Sequence, residues 1–261
     1  MNVFQSFILG IVEGATEFLP ISSTGHLVLA SSLLGVVQSD FVKSFEIAIQ
    51  LGAILAVVVL YFKSFFDTEL IKRLIIAFIP TGVIGLALYQ FVKTYLLGSE
   101  VVVLLALLLG GVGLIVFERW HIRRESAVVA ALTPPSALSY RQAFLVGLAQ
   151  ASAIIPGVSR SGATIIGGLA LGLNRATIVE FSFLLAVPTM AAATTLALYK
   201  GHALAFTTHE WTALAVGFVT SFVVALASIR WLLSYVRHHS FTAFGVYRIV
   251  LSLAFFVYLF A

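Results

Sequence analysis

The sequence predicts an all-α integral membrane protein, and three properties of the chain lead to this class. Of its 261 residues, 61% are hydrophobic. Only 10% are charged, whereas a soluble domain carries about a quarter, so the chain has too little polar surface to face water on all sides. The mean hydropathy of +1.09 and the recurring apolar stretches are typical of a protein that crosses the bilayer several times.

Ten apolar segments follow one another in two sets of five. Three segments in each set approach the length of roughly 20 residues that a helix needs to cross a bilayer. These long segments lie at 45–62, 74–92, 101–118, 178–198, 211–233 and 241–260. The other four, at 3–19, 27–37, 143–156 and 163–173, are short or carry carboxylates. We therefore expect six transmembrane helices and two pairs of shorter helices.

Each short pair is joined by a polar turn, at 20–25 in the first half and at 156–162 in the second. A re-entrant pair, which enters the membrane and returns to the same side, explains both turns. Such broken backbone is tolerated at membrane depth only where protein or a wet cavity surrounds it. A re-entrant helix pair plus three transmembrane helices makes an odd number of crossings, so we expect two inverted-topology repeats.

A weak internal repeat agrees with this division. Gly10, Ser22 and Gly25 each have an identical residue 137 positions later, and the order of five elements is the same in both halves. We therefore predict a first inverted repeat at 1–120, a cytoplasmic connector at 121–140 and a second inverted repeat at 141–261.

Basic residues cluster in three loops that this topology puts on one face. They include Lys63, Lys72, Arg73, Arg119, Arg123, Arg124, Arg141, Arg230 and Arg237. The positive-inside rule makes this face cytoplasmic, so both termini are expected to lie outside. Because these residues sit in loops and form no continuous stripe, we expect no nucleic-acid partner. The chain has no cysteine, which excludes disulfides and thiolate chemistry.

Two carboxylates interrupt the first apolar segment. Glu13 and Glu17 lie four residues apart and share one helix face. Because they repel each other and lose hydration in an apolar segment, a divalent cation between them would relieve the repulsion. The competing interpretation is a helix end in the interfacial region, with both acids solvated.

The first polar turn carries hydroxyl groups at Ser22, Ser23 and Thr24, followed by His26. Serine and threonine often serve only as helix caps. The same geometry leaves backbone N–H groups free at a positive helix end, which favours a phosphate. Beside hydroxyls and paired carboxylates, His26 is a candidate general base or acid.

The second polar turn is the stronger signal, because it contains an arginine at membrane depth. Arg160 requires an anionic partner there, and its guanidinium suits phosphate oxygens. Ser159, Ser161 and Thr164 add hydrogen-bond donors. The alternative is an internal ion pair of Arg160 with Glu13 or Glu17. If the two turns meet near the bilayer centre, they form a site for a phosphoryl group bridged by a metal.

These stretches closely resemble the signatures of one known family, the bacterial undecaprenyl-pyrophosphate phosphatases. The first signature runs from Glu13 to His26 and the second from Pro156 to Thr164. Similarity continues through Phe45–Gly52, Tyr140–Phe144 and Glu180–Pro188, so it covers nearly the whole chain.

The resemblance implies hydrolysis of a C55 polyprenyl diphosphate, with Mg²⁺ or Ca²⁺ as cofactor. It implies that Glu13 and Glu17 are the acidic pair, that Ser23 is the nucleophile and that His26 is its base or acid. It also implies phosphate contacts from the second turn, made by Ser159, Arg160 and Thr164. The expected location is the bacterial inner membrane, with an active site that opens to the outer face and a link to bacitracin resistance.

Two further points stay open at the level of the sequence. Inverted repeats with broken helices are commonest in transporters, so a secondary transporter or flippase of a phosphorylated lipid is the alternative function. A transporter needs no nucleophile, and phosphate release by purified protein in detergent distinguishes the two. The sequence leaves open whether the protein forms a homodimer in the bilayer.

Overall fold

The computed structural model describes residues 1–125, 134–200 and 206–260. Within these ranges the chain forms ten α-helices and no strand. The first half contains α1 (Val3–Thr16), α2 (Ser23–Leu33), α3 (Asp40–Leu60), α4 (Thr68–Phe91) and α5 (Glu100–Glu125). The second contains α6 (Tyr140–Gln150), α7 (Arg160–Ala170), α8 (Arg175–Lys200), α9 (Thr208–Tyr235) and α10 (Thr242–Phe260). The ten predicted apolar segments correspond to these helices in order.

Six of the described helices are long and apolar enough to cross a membrane. Their candidate spans are Asp40–Leu60, Thr68–Leu96, Glu100–Trp120, Arg175–Leu196, Thr208–Tyr235 and Thr242–Leu259. In contrast, α2, α6 and α7 have 11 residues each and would be only about 17 Å long. The prediction of a multi-pass, all-α membrane protein with six spans and four short helices is confirmed.

The predicted connector at 121–140 is only partly described, since residues 126–133 lie outside the described residues. Its first residues continue α5 as far as Glu125, and its last residues include a 3-10 helix at Pro135–Ala137. The Leu138 carbonyl accepts a hydrogen bond from the Arg73 side chain, which links this segment to the start of α4.

Glycines let helices from the two halves approach closely. A Cβ atom at Gly10 of α1 would lie 2.7 Å from the Gly217 oxygen of α9. At Gly147 of α6, a Cβ atom would lie 1.8 Å from the Ala77 oxygen of α4. Packing on small residues is the usual means by which membrane helices associate. The first helix of each half thus packs on the fourth helix of the other half.

Polar contacts show which helix ends lie together. Glu118 of α5 accepts two hydrogen bonds from Arg175 at the start of α8, at 2.5 and 3.0 Å, and a third from the N–H of Phe241 just before α10. Gln5 of α1 donates to the Leu34 carbonyl after α2. The start of α1 and the end of α2 are therefore adjacent, so these two helices form a hairpin.

Candidate active site

Two serine residues occupy the same unusual backbone conformation at the starts of α2 and α7. Ser22 has φ 73° and Ser159 has φ 78°, and no other non-glycine residue in the described ranges has a positive φ. Such a conformation costs free energy and persists only where its surroundings enforce it. The Oγ atom of each serine accepts a hydrogen bond from the N–H three residues later, Gly25 in one turn and Gly162 in the other. Both turns therefore cap a helix whose remaining first N–H groups are available to an anion.

The two turns are linked by a chain of three side chains. Ser23 donates its hydroxyl proton to Glu17 Oε2, with an O···O distance of 2.5 Å. Arg160 Nη2 donates to the other oxygen of that carboxylate, Oε1, at 3.1 Å. Glu17 is 6% exposed, so this contact lies inside the protein. The ion pair that the sequence offered as an alternative forms with Glu17.

The Nε donor of Arg160 is left unused. Its Nη1 atom donates to the Ser182 carbonyl at 2.8 Å, whereas Nε is buried and has no hydrogen-bond partner in the described part of the chain. A buried, unpaired N–H of a cation is costly unless a ligand satisfies it. This donor is suited to a phosphate oxygen.

A cavity of about 280 Å³ borders this chain of side chains. Its polar lining comprises Glu17, Ser22, Ser23, Thr24, Gln50, Thr81, Gln150, Ser159, Arg160 and Thr189. The rest of the wall includes Ile154, Ile155, Pro156, Met190 and Ala193. A cavity lined by both polar and apolar residues fits a molecule with a phosphorylated head and an apolar tail.

Two of the predicted phosphate ligands do not line the cavity. Ser161 and Thr164 are both fully buried. Ser161 donates to the Leu19 carbonyl at 2.7 Å, and the Thr164 hydroxyl lies 2.6 Å from that of Ser182. In this structure, these hydroxyls hold the second turn against the first turn and against α8.

His26 likewise makes its contacts away from Ser23. Its Nδ1 atom lies 2.7 Å from the Ser22 carbonyl, and its Nε2 atom lies 2.8 Å from the Tyr247 hydroxyl. Because a carbonyl can only accept, Nδ1 carries a proton, and in the neutral ring Nε2 accepts from Tyr247. The structure thus pairs Ser23 with Glu17, whereas the family resemblance implies His26 as the partner of Ser23.

Glu13 lies on the same helix as Glu17 but in a different environment. It is fully buried, and neither of its carboxylate oxygens has a hydrogen-bond partner among the described residues. The negative charges of Glu17 and Glu46 act on it unfavourably, and Arg160 offsets them only in part. A buried carboxylate without donors requires a proton or a cation.

Gln150 and Tyr247 contribute to the site without having been singled out as site residues from the sequence. Gln150 of α6 is 1% exposed and donates to the hydroxyls of Thr81 and Thr189, both at 3.0 Å. The sequence pointed to Gln150 only through its position, because it lies 137 residues after Glu13 and therefore corresponds to Glu13 in the internal repeat. Tyr247 had no such signal, because it lies on an apolar span and only the fold brings it to His26.

Comparison with known proteins gives consistent matches over the whole chain. The family model described as bacitracin resistance protein BacA matches residues 6–254. The undecaprenyl-diphosphatase of Sulfurihydrogenibium sp. (strain YO3AOP1) is 50% identical over 258 residues, which is 99% of this chain and 100% of that protein. The undecaprenyl-diphosphatase of Aquifex aeolicus (strain VF5) is 51% identical over 256 residues, which is 98% of each chain. The resemblance based on the two turn signatures is confirmed, and the chain belongs to the bacitracin resistance protein BacA family.

Proposed function

We propose that this protein hydrolyses undecaprenyl diphosphate to undecaprenyl phosphate and inorganic phosphate, which returns the lipid carrier to cell-wall synthesis. Relatives that are about half identical over almost their full length are named undecaprenyl-diphosphatase. The observation that carries the proposal is the contact of Ser23 and Arg160 with one buried carboxylate, Glu17, beside two helix N-termini. A transporter would need no such nucleophile and base.

Phosphate binding in this proposal uses groups from both turns. The first N–H groups of α2 and α7 supply partial positive charge. The Arg160 guanidinium supplies a full positive charge, and its unpaired Nε supplies a hydrogen-bond donor. Ser22, Thr24 and Ser159 line the same cavity and add polar groups. The apolar wall formed by residues such as Ile154 and Met190 would receive the first part of the lipid chain.

The first chemical step is attack by Ser23 on the terminal phosphorus. A bond forms between Ser23 Oγ and phosphorus, and the bond from that phosphorus to the bridging oxygen breaks. Glu17 takes the hydroxyl proton along the existing hydrogen bond and passes it to the leaving undecaprenyl phosphate. Arg160 stabilises the negative charge on the transferring group.

The second step restores the serine. Water attacks the phosphoserine, Glu17 takes one of its protons, and the same proton returns to Ser23 Oγ as the bond to phosphorus breaks. Inorganic phosphate leaves, and the side chains regain the arrangement in which they started. His26 acts in this scheme by holding the Ser22 carbonyl, and through it the strained turn that carries Ser23.

A divalent cation, Mg²⁺ or Ca²⁺, completes the proposal. The residues fit such an ion, because Glu13 has two buried carboxylate oxygens without donors and lies near the charges of Glu17 and Glu46. The described residues contain no group of three or more acidic or histidine side chains around one point, so substrate and water would supply further ligands. When bound, the cation would neutralise phosphate charge.

The inverted arrangement of the two halves belongs to the same proposal. It is supported by the exchange of partners, since α1 packs on α9 and α6 packs on α4. It is also supported by Ser22 and Ser159, which lie 137 positions apart and share one backbone conformation. We propose the same division at 1–120, 121–140 and 141–261.

Location and assembly follow from this arrangement. We propose the bacterial inner membrane, with the basic loops in the cytoplasm and a site that opens to the outer face. A homodimer in the bilayer remains a prediction, which cross-linking in native membranes would test.

The decisive experiment is phosphate release by purified protein in detergent, with undecaprenyl diphosphate as substrate. We expect turnover that stops in excess chelator and recovers with Mg²⁺ or Ca²⁺. Glu13→Gln should raise the cation concentration required for half-maximal activity. Binding of the lipid diphosphate without any phosphate release, at any cation concentration, would favour the transporter alternative.

A further inference from the structure

Arg248 on α10 is 2% exposed and lies between the two turns. Its guanidinium makes five hydrogen bonds, all to backbone carbonyls. Nε donates to Leu107 at 3.3 Å, Nη2 to Ala106 at 2.9 Å and Gly157 at 3.0 Å, and Nη1 to Val158 at 3.0 Å and Pro20 at 3.4 Å. A guanidinium has five N–H donors, so this set of contacts uses all of them.

This arrangement differs from that of Arg160. An arginine inside a membrane protein pairs either with another charged group or with backbone carbonyls, and all the contacts of Arg248 are with carbonyls. With all five donors used, it has none left for a phosphate. Arg248 is therefore suited to holding backbone in position, and Arg160, with its free Nε, is suited to binding substrate.

The carbonyls that Arg248 binds determine where the neighbouring amides point. In a trans peptide, the C=O of one residue and the N–H of the next point in opposite directions. Because the Val158 carbonyl points to Arg248, the Ser159 N–H points away from it. This N–H forms no hydrogen bond with the residues that the structure describes, and Ser159 lines the cavity.

We propose that Arg248 is a positioning residue that directs the Ser159 amide toward the phosphate and holds the first and second turns at a fixed separation. Its contact with Pro20 joins the first turn to the same guanidinium that binds Gly157 and Val158 of the second. The inference deepens the proposed phosphatase function and rests on it for the identity of the substrate.

Two variants would disturb the contacts of Arg248 with these carbonyls in different ways. Arg248→Lys keeps the positive charge but cannot reach all five carbonyls. Gly110→Ala keeps the arginine, but its Cβ atom would lie 2.1 Å from Arg248 Nη2 and would displace the guanidinium. Gly113→Ala is the matched control on the same helix, because a Cβ atom there meets nothing within 4 Å in the described part of the chain.

The measurement is the dissociation constant of inorganic phosphate, determined by calorimetry on folded, monodisperse protein at one fixed Mg²⁺ concentration. We expect Arg248→Lys and Gly110→Ala to raise this constant about tenfold or more, the effect of losing a hydrogen bond to a charged group. Gly113→Ala should match the wild type. If Arg248→Lys does not fold, Gly110→Ala decides the question.

Wild-type phosphate binding in folded Gly110→Ala and Arg248→Lys would overturn the role of Arg248. A merely structural role would lower the melting temperature and leave the phosphate affinity of the folded fraction unchanged. Failure of the wild-type protein to release phosphate from undecaprenyl diphosphate would instead count against the proposed function. The binding measurement does not depend on turnover, so the two failures are distinguishable.

Discussion

At the scale of single residues, the proposed reaction depends on the hydrogen bond from Ser23 to Glu17, which makes Glu17 the candidate to take the serine proton. A hydroxyl is a weak nucleophile until a neighbouring base removes its proton. His26 cannot serve directly in this geometry, because its ring nitrogens contact the Ser22 carbonyl and the Tyr247 hydroxyl. The sequence alone could not distinguish these two bases, since both are close to Ser23 along the chain.

We expect Ser23→Ala to lose activity by a factor on the order of 10³ or more, consistent with removal of a nucleophile that depends on general base catalysis. Ser31→Ala is the matched control, because Ser31 lies on the same helix and its buried Oγ has no hydrogen-bond partner among the described residues. Phosphate release by the two variants is compared at saturating substrate.

Glu17→Gln should reduce turnover nearly as much as Ser23→Ala, whereas His26→Gln should reduce it less. Acid quench of the wild-type enzyme should trap a phosphoserine at Ser23. If a single turnover traps no phosphoenzyme and inverts the configuration at a chiral, isotopically labelled terminal phosphorus, water attacks directly and Ser23 serves only to bind phosphate.

Substitution of Arg160 tests whether catalysis depends on the shape of this cation as well as on its charge. Arg160→Lys keeps the charge but loses both the bond to Ser182 and the free Nε donor. We expect kcat/KM to fall on the order of 10²-fold, the usual effect of losing a preorganised contact to the transition state. Near-normal kcat/KM in this variant would mean that charge alone is sufficient.

At the scale of the elements, the short helix α1 carries Glu13, leads directly into Glu17 and is held in position by its contact with α9. Gly10 lies at one close point of that contact, with the Gly217 oxygen 2.7 Å from where a Cβ atom would lie. Added bulk at such a contact forces the two backbones apart. The position of Glu13 and Glu17 in the interior therefore depends on a residue without a side chain.

Gly10→Ala should lower the free energy of unfolding by about 1–3 kcal/mol, the usual cost of overpacking. The matched control is Gly85→Ala in α4, where a Cβ atom meets nothing within 4 Å. There the gain in helix propensity of roughly 1 kcal/mol should leave stability unchanged or improved. The melting temperatures of Gly10→Ala and Gly85→Ala are measured by thermal unfolding in the same detergent. Equal melting temperatures would contradict the packing argument.

At the scale of the whole molecule, the proposed topology puts the two ends of α4 on opposite sides of the membrane. Lys72 lies near the start of α4 and Lys93 just after its end, and both are exposed, about 30 Å apart along the candidate span Thr68–Leu96. The chain has no cysteine, so Lys72→Cys and Lys93→Cys each introduce a single thiol. In intact cells, an impermeant maleimide should label residue 93 and not residue 72. Labelling of residue 72 alone would reverse the proposed orientation.

The sequence by itself determined the class, the number of helices and the two turns. Hydropathy depends on composition over about 20 residues, so six spans and four short helices could be identified without contacts. The polar turns were visible because Arg160 and the carboxylates of α1 are costly in an apolar setting.

Only the tertiary structure decided how these groups are paired. The contact of Glu17 with Arg160 joins residues 143 positions apart, and that of His26 with Tyr247 joins residues 221 positions apart. Neither pairing leaves a periodic signal, because each depends on how separate helices pack. The same holds for Arg248, whose five partners are backbone carbonyls and therefore carry no residue type that a sequence could reveal.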